Sequence, residues 1–407
     1  MLNKLFHSLL FLVAQTSFAQ STEEIISSLK KDLTFLADDK LEGRETGTTG
    51  ADIAAEYIAN RFMEYGLLPK GDNSTFFQEF KQKPKGIHGE TLPDSVKEII
   101  GKNVIGFIDN NGSTTVVIGA HYDHLGYGDE GSLNTGTKAI HNGADDNASG
   151  TSTLLHLAKS LQGKNKNNNY LFIAFSGEEK GLWGSNYFSK NSTIPITSIN
   201  YMINMDMVGR LSENKLAIYG TGTSPVWNDL LKKVIPDSIK LTKTESGVGP
   251  SDHTSFYLKD IPVLHFFTGQ HADYHKPSDD IEKINFSGIL TVIRLIEKII
   301  EELNDDGELV FTKTKEEDKA TPAFKVTLGV MPDYMYSDKG MRIDGVREGN
   351  PAANAGLKAG DIVIKMGKTN VTDMQTYMQA LSLYKAGDKV KVIVLREGKK
   401  KTAKVIF

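Results

Sequence analysis

Four apolar runs in this chain end in acids or histidines. TTVVIGA leads into His121-Tyr122-Asp123-His124, and YLFIAF leads into Ser176-Gly177-Glu178-Glu179. SINYMINM leads into Asp206, and IPVLHFF is followed by a loop that closes on Asp273-Tyr274-His275. A further polar loop, from Asn142 to Asn147 with Asp145 and Asp146 inside it, opens a helical pattern. Carboxylates gathered at one place push each other's pKa upward unless a cation neutralises them. Imidazole with carboxylate suits Zn²⁺ and similar divalent ions. A pair of such ions needs one carboxylate to bridge them, with His, Asp or Glu on either side. The adjacent acids Glu178 and Glu179 offer one group for a metal and one for proton transfer, as metal-assisted hydrolysis requires. Asp123, two residues beyond His121, is spaced to orient that ring. Any one of these residues alone would read as a hydrogen-bonded polar group at a strand end; the ordered set points to one acidic crevice.

The elements that carry these side chains follow from the hydrophobic pattern. From Thr115 onward short apolar runs alternate with helical segments, notably Ala148–Gln162 and Ile284–Leu303. Strands interleaved with helices specify an α/β domain with a mostly parallel sheet. In open sheets of that class, functional residues collect at the carboxyl ends of the strands. Upstream, Thr22–Lys40 places Ile25, Ile26, Leu29, Leu33 and Leu36 on one helical face, and a second helical pattern covers Thr48–Tyr65. The Gly/Thr loop LEGRETGTTG joins the two.

Residues 1–19 combine Lys4, an apolar run from Leu5 to Ala14 and small residues in Ser17-Phe18-Ala19. This is the pattern of a secretory signal peptide cleaved after Ala19. No other apolar run reaches the roughly 18 residues of a membrane span, so the expectation is a soluble protein exported to the periplasm or medium. The catalytic domain is read as residues 20–303, a polar, charged linker as 304–322, and a second, β-rich domain as 323–407. The cluster Lys399-Lys400-Lys401, between VKVIVL and TAKVIF, reads as a solvated hairpin turn. The chain has 407 residues, 47 basic and 51 acidic, and no cysteine. The charge balance excludes nucleic-acid binding by bulk charge. The missing cysteines exclude disulfides, thiolate zinc sites and thiol nucleophiles. Any transition metal must be held by His, Asp and Glu.

The same residues carry a resemblance. His121-x-Asp123, Gly143-Ala-Asp-Asp146-Asn-Ala-Ser-Gly150, Ser176-Gly-Glu178-Glu179-x-Gly181, Asn204-Met-Asp206-Met-Val-Gly209 and Tyr274-His275-x-Pro-x-Asp279 occur in that order. Together they resemble the two-zinc exopeptidases, the family of bacterial leucyl-type aminopeptidases, glutamate carboxypeptidase and the transferrin-receptor fold, over roughly residues 25–303. The resemblance implies a mixed sheet sandwiched by helices and two zinc ions, although other divalent ions suit the same donors. It implies that His121 and Asp206 bind one ion, Glu179 and His275 the other, and that Asp146 bridges them. It further implies Glu178 as general base and Tyr274 as a stabiliser of the tetrahedral oxyanion. Asp252 and His253, in the family-like Ser251-Asp252-His253, are assigned to the substrate pocket wall.

Near the C-terminus, LGVMPDY and the run NPAANAGLKAGD resemble a PDZ domain of the bacterial type. Such domains bind a peptide C-terminus as an added β-strand, its carboxylate held by backbone N–H groups. By position, Leu328, Gly329 and Val330 would form the carboxylate-binding loop. The reading is an exported metallo-aminopeptidase acting on peptides, with a PDZ domain for docking or for binding peptide C-termini. Glutaminyl cyclase, an acidic carboxypeptidase and a non-catalytic peptide-binding protein are the alternatives. Intact His121-x-Asp123 argues against the cyclase, and a complete set of ligands and base argues against the binding protein.

Overall fold

The computed structural model describes residues 21–83, 97–134, 136–314, 326–333, 336, 338–346, 349–372 and 374–407. The proposed signal peptide and the part of the linker beyond Thr314 lie outside these residues. Nine strands form the first sheet: β1 (Leu68–Pro69), β2 (Phe77–Gln82), β3 (Ile99–Ile108), β4 (Thr114–His121), β5 (Asn168–Phe175), β6 (Ile199–Met205), β7 (Lys215–Tyr219), β8 (Lys240–Thr244) and β9 (Val263–Phe267). Their order is β1-β3-β5-β4-β6-β9-β7-β8, with β2 pairing β3 off that path. β5, β4, β6 and β9 run parallel at the centre. β3 is antiparallel to β5 and β7 is antiparallel to β9, so direction reverses toward both edges.

Helices cover both faces. On one side lie α1 (Thr22–Leu36), α2 (Thr49–Glu64), α3 (Gly150–Ser160), α5 (Trp227–Val234) and α7 (Phe286–Glu302); on the other lie α4 (Trp183–Lys190) and α6 (His253–Tyr257). In β4, Val116, Ile118 and Ala120 pack into the first layer and Val117 into the second. A strand buried on both faces reads as an unbroken apolar run, which is why TTVVIGA shows no alternation. α1 begins where a capping box places it: Ser21 Oγ accepts the Glu24 amide at 3.2 Å, and Glu24 accepts the Ser21 amide at 2.9 Å.

The start of the expected linker is not free. Asn200 Oδ1 accepts the Leu309 amide at 2.8 Å, Thr223 carbonyl accepts the Thr312 amide at 2.8 Å, and Tyr257 hydroxyl accepts the Thr314 amide at 2.9 Å. Two buried side chains and one main-chain carbonyl of the first domain thus strap residues 309–314 to it.

The second sheet is antiparallel: β10 (Val330–Pro332), β11 (Met341–Val346), β12 (Ile362–Met366), β13 (Thr369–Asn370), β14 (Lys389–Arg396) and β15 (Lys399–Ile406), in order β10-β11-β12-β14-β15 with β13 on β12. α8 (Pro351–Asn354) and α9 (Met374–Ser382) complete it. Its core is apolar, with Leu328, Ile343, Val363, Val392 and Val405 at the centre. Gly329 turns with φ 71° between buried Leu328 and β10, an edge strand. Lys399–Lys401 are not the hairpin turn. They begin β15, and the turn is Glu397-Gly398, with φ of 50° and 73°. Positive φ at both residues matches the right-handed twist of a tight hairpin, and a lysine run supplies no such conformation.

Candidate metal centre

The ends of β4, β5 and β6 and the loop after β9 converge on one point. His121 closes β4, and its Nε2 lies 3.2 Å from Asp206 Oδ1 and 3.4 Å from Asp146 Oδ1. His275 Nε2 lies 3.2 Å from Asp146 Oδ2 and 3.2 Å from Glu179 Oε2. Asp146 therefore turns one oxygen to each side. Buried His275 Nε2 has no aligned hydrogen bond despite these distances. Ligands at zinc distances of about 2.0–2.1 Å form a tetrahedron with edges of about 3.3–3.4 Å. The observed separations approach that edge, so the donor set fits zinc. Two groups, His121-Glu178-Asp206 and His124-Asp146-Glu179, each bring donor atoms within 4.8 Å of one another.

The loop holding Asp146 is fixed from beneath. Asp279 is fully buried, and its Oδ2 accepts the amides of Asp145 and Asp146 at 3.0 and 3.1 Å. Asp145 faces the other way. Its Oδ1 accepts the Gly209 amide at 2.6 Å and the Ser149 hydroxyl at 3.0 Å, and its Oδ2 lies 3.0 Å from His271 Nε2. Asp123 is also fully buried. The His121 ring leans on its main-chain carbonyl at 3.1 Å, with the carboxylate farther away at 3.7 Å. That carboxylate instead accepts the Glu178 amide at 3.2 Å and the Thr46 hydroxyl at 3.1 Å. Asp123 is thus a link between the first histidine and the paired glutamates.

Those glutamates are electrostatically unlike. Burial, with Asp206 and Glu179 nearby, pushes the Glu178 carboxyl well above its usual range against the pull of His121. Burial also raises Glu179, but His275 and His124 outweigh it and bring its carboxyl down to about 2. Burial opposes charge on His121 and His275, yet the surrounding carboxylates prevail, holding His121 well above its ordinary value and raising His275 to about 10. In the metal-free centre these imidazoles are the cations that neutralise the acids.

A cavity of about 290 Å³ opens over the centre, with Asp146, Glu178, Glu179 and Asp206 on its floor and Leu182, Met207, Tyr219, Pro250 and Phe267 among its walls. Tyr274 lines the same cavity, its ring 3.8 Å from that of His275. Asp252 and His253 do not line it and have no exposed surface. The His253 ring stacks on His265 at 4.4 Å, and it is His265 and Pro250 that meet the cavity. The pocket-wall expectation is therefore corrected by one layer: α6 starts at His253, and its first turn packs into the apolar layer behind the wall.

The sequence pattern names His124 but assigns it no ligand role, and its Nδ1 lies 2.8 Å from Glu179 Oε1. Its only signal was its place in His121-x-x-His124. The sequence pattern passes over Arg44 and Thr46 of the Gly/Thr loop, which reach the centre from far upstream.

Residues 103–300 match Peptidase family M28, and residues 314–407 match a PDZ domain. A probable leucine aminopeptidase of Arthroderma otae is 26% identical over 53% of this chain and 60% of its own length. The chain thus spans less than two thirds of that relative. A zinc aminopeptidase from Bacillus subtilis superposes with a TM-score of 0.53 at 20% identity, over 68% of this chain and 95% of its own. A Bacteroides thetaiotaomicron glutaminyl cyclase does so with a TM-score of 0.55 at 18% identity, over 68% and 97%. Those likenesses show the zinc-exopeptidase fold, and the family matches are regional: residues 103–300 are similar to Peptidase family M28 and residues 314–407 to a PDZ domain.

Proposed function

We propose that this chain is an exported two-zinc aminopeptidase. The single observation that carries the reading is the division of the Asp146 carboxylate between two clusters, His121 with Asp206 and His275 with Glu179, at 3.2–3.4 Å. His121 and Asp206 would hold one ion and Glu179 and His275 the other, with Asp146 available to both. When bound, the ions supply Lewis acidity toward the scissile carbonyl and acidify the attacking water. Glu178 takes the proton of that water on a carboxylate oxygen and delivers it to the leaving amine. Its raised affinity for protons beside strongly acidic Glu179 separates the two roles. Asp123, bonded to the Glu178 amide, holds that backbone in place. Tyr274 lies over the centre and donates to the oxyanion. The cavity accepts the N-terminal side chain of a peptide against Leu182, Met207 and Phe267. The PDZ domain docks peptide C-termini along edge strand β10, with Leu328-Gly329-Val330 as the carboxylate turn. Export rests on the leader-like residues 1–19. Among the described residues no helix is long and apolar enough to cross a membrane.

The test is a panel of aminoacyl chromogenic amides with N-acetylated controls, each with and without chelator. Chelator-sensitive turnover of the free amines alone is expected. Equal turnover of acetylated substrates overturns the aminopeptidase reading. Ammonia release from an N-terminal glutaminyl peptide without cleavage replaces it with the cyclase.

A further inference from the structure

The Gly/Thr loop ahead of α2 has no place in the mechanism so far, yet its side chains run beneath the metal centre. Arg44 is 1% exposed. Its Nε donates to the Tyr122 carbonyl at 2.8 Å, one Nη to the carbonyls of Leu36 and of Asn142 (the latter at 2.6 Å), and the other Nη to the Gly143 carbonyl at 3.1 Å. Among the described residues no carboxylate lies within ion-pair distance of it. A guanidinium is a rigid fork with donors in fixed directions, so four carbonyl partners make it a spacer, and its charge also acts on Asp123, Asp146, Asp279 and Glu179. Tyr122 sits between His121 and Asp123, and Gly143 lies three residues before Asp146. The fork therefore spans the two loops that carry a ligand of the first metal position and the shared carboxylate.

The backbone of the same turn supports this. Gly43 and Arg44 carbonyls accept the amides of Gly126 and His124 at 3.1 and 3.3 Å. Glu42, Gly43 and Arg44 are all left-handed, with φ of 49°, 71° and 49°. A Cβ on Gly43 would lie 2.6 Å from the carbonyl oxygens of Gly126 and His141, so the turn is pressed against the loops it holds. Two residues on, Thr46 holds Asp123 Oδ2 at 3.1 Å, and Glu45 pairs with Lys180, next to Glu179, at 2.8 Å.

We propose that Arg44 is a positioning residue of the metal centre: its guanidinium sets the spacing between the His121 loop and the Asp146 loop, and Thr46 extends that hold to Asp123 and the Glu178 backbone. The proposal rests on the two-metal reading above.

Arg44→Lys keeps a buried cation and loses the fork. Zinc affinity, measured by chelator competition, is expected to fall about 10–100-fold, the size of effect typical for outer-sphere partners of metal ligands. The rise in Tm on zinc loading is expected to shrink, and the visible absorption of the Co²⁺-loaded protein to change. Equal losses of Tm in the metal-free and loaded forms, with affinity and Co²⁺ spectrum intact, would overturn the proposal and leave Arg44 a core residue. Should Arg44→Lys not fold, Thr46→Val decides. It removes the hydroxyl that holds Asp123 and also meets Ser176 Oγ at 3.2 Å, and an unchanged Co²⁺ spectrum and zinc affinity there overturn the proposal equally. If wild-type protein shows no zinc-dependent rise in Tm, the two-metal reading has failed first, and this proposal falls with it.

Discussion

The two domains bury polarity in opposite ways. In the peptidase domain His121, Asp123, His124, Asp145, Asp146 and Asp279 are all buried at the ends of strands or in adjoining loops. In the described residues of the PDZ domain beyond Thr314 only Asp361 is a buried charge, held by Arg396 through two contacts of 2.7 Å. Burying charge is costly unless it is paired or binds a metal. The peptidase domain concentrates that cost at one centre, with the buried Asp32–Arg61 pair of α1 and α2 as a second, smaller site, and the PDZ domain keeps an apolar core.

The largest test of this contrast is Glu178→Gln. Removing the proton carrier while keeping the shape should lower kcat by about 10²–10⁴-fold. Zinc content and the thermal transition of the PDZ domain should stay unchanged. Near-normal turnover would remove Glu178 as the base. Next in size is metal removal. A ligand at 100–1,000 times its Kd stabilises the fold it binds by about 3–4 kcal/mol. Chelation should therefore lower the calorimetric transition of the peptidase domain and spare that of the PDZ domain. Equal shifts in both would break the comparison.

Acid provides a third test, because all ten histidines precede the PDZ domain. His156, buried on α3, is lowered to about 4 by burial and by Lys159 and Lys164 nearby. Its pKa in the unfolded chain is near 6.5. The unfolded state therefore binds the proton more readily, and the stability gained from neutral His156 is complete above about pH 6.5 and is lost as pH falls toward 4. In metal-free protein His156→Gln should narrow its stability gap from wild type across that window. A gap independent of pH would show that the ring is already charged in the fold.

How far the sequence exposes this site depends on the range of each interaction. The strand ends are legible because an apolar run must stop where a polar residue is needed, and that break is local. β7 and β8 leave little local signal, since KLAIY and KLTKT are short and the pairing of β7 on β9, and of β8 on β7, is set by distant partners. Arg44 was invisible for a sharper reason. Its partners lie as far away as Gly143 and are main-chain carbonyls, which leave no mark in the sequence. Asp279 stands in the motif Tyr274-His275-x-Pro-x-Asp279, but its role is hidden in the same way, because it bonds the amides of Asp145 and Asp146 rather than a basic side chain. The turn at Glu397-Gly398 was misplaced because the lysines beside it carried the stronger compositional signal.

The smallest predicted effect lies in the PDZ domain, at its one buried ion pair. Asp361 is fully buried, and the Arg396 side chain is 31% exposed. Asp361 also accepts the Lys358 amide at 3.0 Å, which fixes the Gly360-Asp361 turn into β12. Arg396→Met would leave the carboxylate with that amide but no cation, and breaking a fully buried pair in this way costs about 3–5 kcal/mol. Solvent reaches the arginine, so the expected loss is smaller than that. It should appear only in the PDZ transition and only above the range where Asp361 titrates. The arginine and the Lys358 amide outweigh burial and hold that carboxyl below its usual value. As pH falls through that lowered pKa, the wild-type pair loses its stabilisation and the two proteins should converge. Turnover of a small aminoacyl amide should be unchanged throughout. A fall in that turnover would mean that the two domains share more than a chain.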